Sequence, residues 1–151
     1  MTGSVDLERV RRFVSKDNGL VSVATTRDDG SVQASVVNAG VLDHPVTGAP
    51  VVGLVAQGSS AKLRHLRERP LATVTFRAGW EWVTVEGTAE LAGPDDPLEG
   101  VDAERLRLLL RDVFTAAGGT HDDFDEYDRV MAAERRTAVL LTPTRVYGVG
   151  G

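Results

Sequence analysis

Two strand-like runs lie on either side of a turn near the start of the chain: Leu20-Val21-Ser22-Val23-Ala24-Thr25-Thr26, then Asp28-Asp29-Gly30, and then residues 31–41, which read SVQASVVNAGV. β-Branched and small residues dominate both runs, and the Asp and Gly residues between them favour a turn. Two such runs joined by a short turn indicate a β-hairpin. The hairpin favours antiparallel sheet as the basis of the fold.

The rest of the chain predicts more strands and a few helices. Strand patterns cover residues 51–56, 71–76 and 80–91, and a last strand of 137–141 and 145–149 is interrupted by Pro143. Helical patterns cover residues 5–14, 61–69, 101–114 and 124–134. These helices are too few for regular βαβ alternation. We therefore expect one mainly β (α+β) domain over residues 1–151, an antiparallel sheet with peripheral helices.

The composition excludes several functions. With 17 Lys and Arg against 22 Asp and Glu, the net charge of −5 argues against binding nucleic acid through bulk electrostatics. The absence of cysteine excludes disulfides, thiolate metal sites and a cysteine nucleophile. The first residues are charged, and no apolar run reaches membrane-spanning length, so we expect a cytoplasmic protein without membrane contact.

Alternation along two strands predicts which residues share a face. In residues 31–41 we expect Val32, Ala34 and Val36 on the core side, with Gln33 and Ser35 on a polar side that is either solvated or part of a site. In the fifth strand, Trp80 and Trp82 share the face opposite Val83 and Val85. Outward indoles either meet a partner subunit or a planar ligand, or pack under the C-terminal helices.

An anion site is predicted where the second helix begins. The sequence Gly58-Ser59-Ser60-Ala61-Lys62 places a small-residue turn, hydroxyl groups and a cation at the helix start, with Ser60 as the N-cap. The alternative is an ordinary cap beside a solvated lysine. Lysine is rare here, because only Lys16 and Lys62 among the 17 basic residues are lysine, which favours a function for Lys62.

Other residues give weaker signals. His44, His65 and His121 lack the spacing of a metal site and are expected to pack or lie on the surface. The acidic residues around Asp123 and Asp128 lack the EF-hand pattern and are expected to stabilise a helix N-terminus. No nucleophile elbow or convincing triad supports hydrolysis.

Several motifs in order along the chain carry a family resemblance. They are LVSVAT at 20–25, GSVQASVV at 30–37, SAKLRHLRERP at 60–70, VTVEGTAEL at 83–91, GTHDDFDEY at 119–127 and TPTRVYG at 142–148. Together they resemble the split β-barrels similar to pyridoxamine-phosphate oxidase, and within them the actinobacterial flavin and deazaflavin oxidoreductases. The GTHDDFDEY segment resembles the branch that uses coenzyme F420. The resemblance implies a six-stranded antiparallel split β-barrel, the FMN-binding split barrel, with peripheral helices.

The resemblance also implies a homodimer with two cofactor sites between the protomers. By this likeness the strand carrying Gln33, Ser35, Val36, Val37 and Asn38 would line the ring and ribityl chain of the cofactor. At the end of the third strand, Val55 and Ala56 would lie beside the ring or phosphate. At the second helix, Ser60 and Lys62 would hold the phosphate. In the fifth strand, Trp82 would reach across the interface.

Two departures from the flavin-oxidase branch bear on the cofactor. Ala61 replaces an arginine on the phosphate and Asn38 replaces a lysine, which weakens an FMN assignment and argues against pyridoxamine-phosphate oxidation. The resulting hypothesis is an F420-dependent oxidoreductase that passes a hydride to an unsaturated small organic substrate, with no side chain assigned as catalytic. The alternatives are an FMN-binding oxidoreductase of the same fold, and a non-catalytic carrier of the cofactor, a tetrapyrrole or a fatty acid.

Overall fold

A computed structural model describes residues 7–149 of the chain. In chain order the elements are α1 (Glu8–Val14), β1 (Leu20–Thr26), β2 (Val32–Asp43), β3 (Pro50–Ala56), α2 (Ala61–Glu68), β4 (Leu71–Ala78), β5 (Glu81–Ala92), α3 (Ala103–Ala116), α4 (Phe124–Ala133) and β6 (Thr137–Val149). The start of the first predicted helix, at residues 5 and 6, lies outside the described residues. None of the helices in this part of the chain combines the length and apolarity that crossing a membrane requires.

The six strands close into one antiparallel barrel in the order β1-β2-β3-β6-β5-β4. This confirms the predicted six-stranded antiparallel barrel with peripheral helices. The predicted β1–β2 hairpin is confirmed as well, with partners from Leu20↔Asn38 to Thr26↔Val32. The ladder between β2 and β3, in contrast, begins only at Ala39↔Leu54. Within residues 7–149, the first half of β2 therefore has a strand neighbour on one side only, and this is where the barrel is split.

The core has two parts. Inside the barrel, side chains of the strands such as Val74 and Val85 pack with Phe13 of α1 and Leu63 of α2, all of them almost fully buried. Outside it, α3 and α4 cover β3 and β6 through a second apolar cluster that includes Val113. Burying such side chains supplies most of the stability of a domain of this size.

A glycine lets α3 lie against the barrel. A Cβ atom at Gly40 of β2 would lie 2.2 Å from the carbonyl oxygen of Ala116, which is closer than any side chain allows. The end of α3 therefore contacts the backbone of β2 directly. This contact fixes the segment after α3 beside the split.

The predicted faces of β2 are wrong. Val32 is 59% exposed and Val36 is 70% exposed on the outer face with Ala34, whereas Gln33 and Ser35 are half-buried on the inner face. Alternation shows which residues share a face, but it does not show which face is buried. The apolar face of this half of the strand points away from the core.

Trp80 and Trp82 do not share a strand face as predicted. Trp80 lies with Gly79 in the two-residue turn between β4 and β5, where Gly79 has a φ of +65° and Trp80 is 96% exposed. Trp82 lies on the outer face of β5, and its ring meets Tyr147 edge to face with centroids 6.1 Å apart. Trp82 therefore packs within the sheet face and not under the C-terminal helices.

The last strand is continuous through Pro143. The register between β5 and β6 shifts at Glu86 and Gly87, and Pro143 pairs with Gly87 at this irregularity. A bulge accepts a residue that has no N–H to donate, so the proline does not end the strand. The two predicted segments consequently form one strand.

Candidate functional site

A cavity of about 570 Å³ opens beside the split of the barrel. Three of the predicted site residues, Val37, Asn38 and Val55, line it on the barrel side. The opposite side comes from α3, α4 and the segment between them, with Val113, Phe114, Ala117, Gly118, Gly119, Tyr127 and Met131, and Asn18 and Arg136 complete the lining. Strand and helix residues far apart in the sequence thus enclose one space.

The helix side of this cavity is aromatic. The rings of Phe114 and Tyr127 lie 4.9 Å apart between centroids, and the Tyr127 hydroxyl donates to the carbonyl oxygen of Leu110 at 3.0 Å. Burial raises the pKa of Tyr127 to about 12, so the phenol stays protonated at neutral pH. Aliphatic side chains on one side and aromatic rings on the other suit a flat, mainly apolar group.

At the start of α2, Ser60 occupies the N-cap position with the predicted extended backbone (φ −68°, ψ 148°). Its side chain, however, makes no cap hydrogen bond. The hydroxyl oxygen is buried and has no hydrogen-bond partner among the residues that the structure describes. A buried hydroxyl without a partner is costly, so an unpartnered one in a folded protein calls for an explanation.

Lys62, in the first turn of α2, is half-buried. Burial lowers the pKa of Lys62, and the positive charge of Arg136 lowers it further. No ion pair joins Lys62 to a carboxylate within residues 7–149. An anion beside Lys62 would stabilise its charged form.

Arg136 lies close to Lys62 because the end of α4 packs on the loop before α2. The helix ends in a Schellman motif with Arg135 at a φ of +50°, in which the amide of Arg136 donates to Met131 at 2.9 Å. The amide of Gly58 donates to the Glu134 carbonyl oxygen at 3.2 Å, and a Cβ at Gly58 would lie 2.8 Å from the Arg135 carbonyl oxygen. We call Ser60, Lys62 and Arg136 together the basic corner.

A second cavity of about 470 Å³ lies between the β1–β2 hairpin and α2. Gln33 and Ala61 line it, together with several charged residues and His65. His65 Nδ1 lies 2.9 Å from the hydroxyl of Thr25, which is itself buried. Ser35 lies between the two cavities, since residues 33, 35 and 37 follow one another on the same face of β2.

The predicted site residues fall into five places. Val37, Asn38 and Val55 line the first cavity, Ser60 and Lys62 belong to the basic corner, and Gln33 and Ser35 lie along the split towards the second cavity. Ala56 is buried at the end of β3, while Val36 and Trp82 lie on the outer face of the barrel. The structure therefore does not bring Trp82 to Lys62 within the chain.

The sequence did not reveal three residues of the site. Phe114 carries only the signal of an amphipathic helix, and Arg136 is one of many arginines with no motif around it. Tyr127 ends the GTHDDFDEY segment, but the resemblance assigns it no role at the cofactor. Their position depends on how α3 and α4 fold back on the barrel. No local pattern encodes that contact.

The histidines and acidic residues have structural roles. His44 Nε2 lies 2.8 Å from Glu90, and His121 accepts the amide of Asp123 at 3.0 Å. Asp123 caps α4 by accepting from the amides of residues 125 and 126, and Asp128 pairs with arginines of α3. The expectation that acidic residues stabilise this helix N-terminus is confirmed.

A family model described as Pyridoxamine 5′-phosphate oxidase matches residues 7–150. Among solved structures, an FMN-binding, pyridoxamine 5′-phosphate oxidase-related protein from Nostoc punctiforme is 14% identical with a TM-score of 0.68, covering 95% of this chain and 83% of its own. An F420 reductase is 12% identical, with a TM-score of 0.58 and coverage of 87% and 91%. The heme storage protein HutZ from Vibrio cholerae is 13% identical, with a TM-score of 0.59 and coverage of 97% and 96%. At these identities the likeness extends to the fold alone.

Replacing Ser60 by alanine is expected to stabilise the ligand-free protein by about 1 kcal/mol, because the change removes a buried hydroxyl that has no partner. Ser59→Ala, at the exposed neighbouring position, serves as the control and is expected to change stability by less than about 0.5 kcal/mol. Urea unfolding of the three proteins measures the difference. A loss of stability in Ser60→Ala would mean that the hydroxyl is satisfied within the folded chain.

Proposed function

The chain belongs to the pyridoxamine 5′-phosphate oxidase family, and from this premise we propose that it is an oxidoreductase that binds the deazaflavin F420 and exchanges a hydride with a small unsaturated organic substrate. The proposed site lies between two protomers of a homodimer. The observation that carries the proposal is the basic corner, where a buried, unpartnered hydroxyl lies in the same loop and helix start as a lysine without a carboxylate partner. That combination suits the phosphate group of such a cofactor.

The residues present fit a cofactor that has one anionic end and one flat end. Ser60 and Lys62 would hold the phosphate, since a hydroxyl and an ammonium both donate hydrogen bonds to its oxygens. Val37 and Val55 would contact the apolar part from the barrel side, with Phe114 and Tyr127 on the helix side. Gln33, Ser35 and Asn38 would line the ring and ribityl chain of the cofactor along the split.

F420, when bound, supplies the hydride chemistry. The chain's own residues bind and orient the reactants and exclude water from the cavity. Tyr127 is not a proton donor in this scheme, because its hydroxyl is committed to the carbonyl oxygen of Leu110 and burial raises its pKa to about 12. The proposal assigns no side chain as catalytic.

The outer face of the barrel supports the homodimer. Its exposed apolar side chains include Val32 and Val36 on β2, Leu71 on β4 and Val149 on β6. Strand faces that remain apolar on the outside are typical of surfaces that associate. A second protomer on this face would also bring its own Trp82 to the interface, as the family resemblance implies.

Cofactor binding tests the proposal directly. The purified protein is titrated with F420, FMN and hemin, followed by absorbance and fluorescence, and reduced F420 is then mixed anaerobically with a panel of quinones and enones. We expect saturable binding of F420 and its oxidation by at least one acceptor. Binding of FMN alone would favour the flavin oxidoreductase, and binding without oxidation by any acceptor would favour a carrier. A Soret band with hemin and no F420 binding would contradict the proposal.

Lys62→Ala is expected to lower the affinity for F420 about tenfold to a hundredfold, because a charged hydrogen bond to phosphate contributes roughly 1.5–3 kcal/mol. The thermal midpoint of the ligand-free protein should barely change, since Lys62 makes no ion pair within residues 7–149. Lys16→Ala is the matched control. Lys16 lies 3.4 Å from Glu81 and over the ring of Phe13, and its loss should leave binding unchanged. Equal affinities for wild type and Lys62→Ala would place the phosphate elsewhere.

Val36→Asp is expected to shift the protein from dimer to monomer, because it places a charge on the exposed apolar face. Val46→Asp is the control, since Val46 is exposed to a similar degree but lies in the β2–β3 loop. Light scattering after gel filtration gives the mass of each protein. A wild-type monomer, or a Val36→Asp dimer, would exclude this face as the interface.

A further inference from the structure

We infer that Arg136 is the second cation of the anion site at the basic corner, and that Glu134, hydrogen-bonded to Arg136, sets the charge of the anion that the corner accepts. The inference rests on the proposed function in taking this anion to be the phosphate of a cofactor. It goes further by assigning a residue that no sequence motif marks, and a carboxylate that discriminates between two kinds of phosphate.

Arg136 is positioned to act on the same anion as Lys62. It lines the first cavity, and its charge is close enough to lower the pKa of Lys62. Its Nε donates to a Glu134 oxygen at 2.8 Å, and its two terminal NH₂ groups make no hydrogen bond within residues 7–149. A guanidinium held by one N–H only keeps four donors for a ligand.

The turn at the end of α4 fixes this arrangement. Arg135 adopts a φ of +50°, a conformation that glycine usually supplies at this position of a Schellman motif. The turn packs on Gly58, so Glu134 and Arg136 are held against the loop that carries Ser60. Backbone strain outside glycine persists only where the surrounding structure holds it in place.

The charges around the corner favour a monoanion. Lys62 and Arg136 are positive and Glu134 is negative, so the group carries one net positive charge. The phosphate of F420 is a diester with a single negative charge, whereas that of FMN is a monoester with a charge of about −1.5 to −2 at neutral pH. The carboxylate of Glu134 would repel the extra charge of the monoester.

The rival interpretation gives Glu134 a structural role only, as the ion pair that holds Arg136 at the end of α4. The two interpretations differ in what Glu134→Gln does. The amide oxygen of glutamine still accepts from Nε, so the structural role persists, but the negative charge is gone. Only the inferred role predicts a change in the preference between phosphates.

The test measures dissociation constants of FMN and F420 for wild type, Glu134→Gln, Arg136→Gln and the control Arg135→Gln. Arg135 pairs with Asp95 on the surface, so its variant makes the same charge change one residue away. The same four proteins are titrated with methyl phosphate and dimethyl phosphate at pH 8, followed by ³¹P NMR. Circular dichroism and the thermal midpoint check that each variant folds.

We expect Glu134→Gln to tighten FMN binding about tenfold and F420 binding by no more than about threefold. The same substitution should tighten the binding of methyl phosphate more than that of dimethyl phosphate. Arg136→Gln should weaken both cofactors by about tenfold or more, and Arg135→Gln should change neither by more than about twofold. Equal effects of Glu134→Gln on both esters, or unchanged binding in Arg136→Gln, would overturn the inference.

The simple phosphates separate this inference from the proposed function. Suppose that neither cofactor binds, but that Glu134→Gln binds methyl phosphate more tightly than wild type and Arg136→Gln binds it more weakly. The proposed function then fails and the inference stands. If F420 binds and is turned over while the variants match wild type, the inference fails alone. If none of the four ligands binds to wild type or to Glu134→Gln, the corner is not an anion site and the inference fails.

Discussion

The late start of the ladder between β2 and β3, at Ala39, is the constraint on which the site depends. Because β3 does not pair with residues 32–38, one edge of β2 is left open in an otherwise closed barrel. Backbone groups along such an edge must find other partners. The two cavities lie along this opening, and α2 begins beside it. Had the ladder continued, the barrel would have been closed where the cavity now lies.

The positive charge of the basic corner contrasts with the net negative charge of the whole chain. The net charge of −5 describes a surface on which most cations are paired with carboxylates, as in the arginines that hold Asp128. Lys62 departs from that pattern, because within residues 7–149 it has no carboxylate partner. A few oriented donors in a partly buried place act strongly on one anion whatever the overall charge. The bulk acidity of the protein and a phosphate site are therefore compatible.

The sequence predicted the barrel and named two of the three residues of the basic corner, Ser60 and Lys62, and particular residues show why it did not reveal the rest. The hairpin around Gly30 and the helix start at Ser60 are local patterns, so the residues themselves carry the signal. The faces of β2 were predicted the wrong way round, because alternation is symmetric and Val36 is apolar on an outer surface. Arg136 was missed because it reaches Lys62 through the packing of α4 on Gly58. Ala61 and Asn38 replace cations of the flavin-oxidase branch, and the fold brings Arg136 close to Lys62 from a distant part of the chain.

A crystal structure of the protein with bound F420 would show where the phosphate lies. We expect two protomers in contact through the outer faces of their barrels, with the cofactor phosphate within hydrogen-bond distance of Ser60 Oγ, Lys62 Nζ and the Arg136 guanidinium. The ring would then lie along the split beside Val37 and Val55. A phosphate bound away from Ser60 and Lys62, with the hydroxyl of Ser60 still lacking a partner, would contradict this expectation.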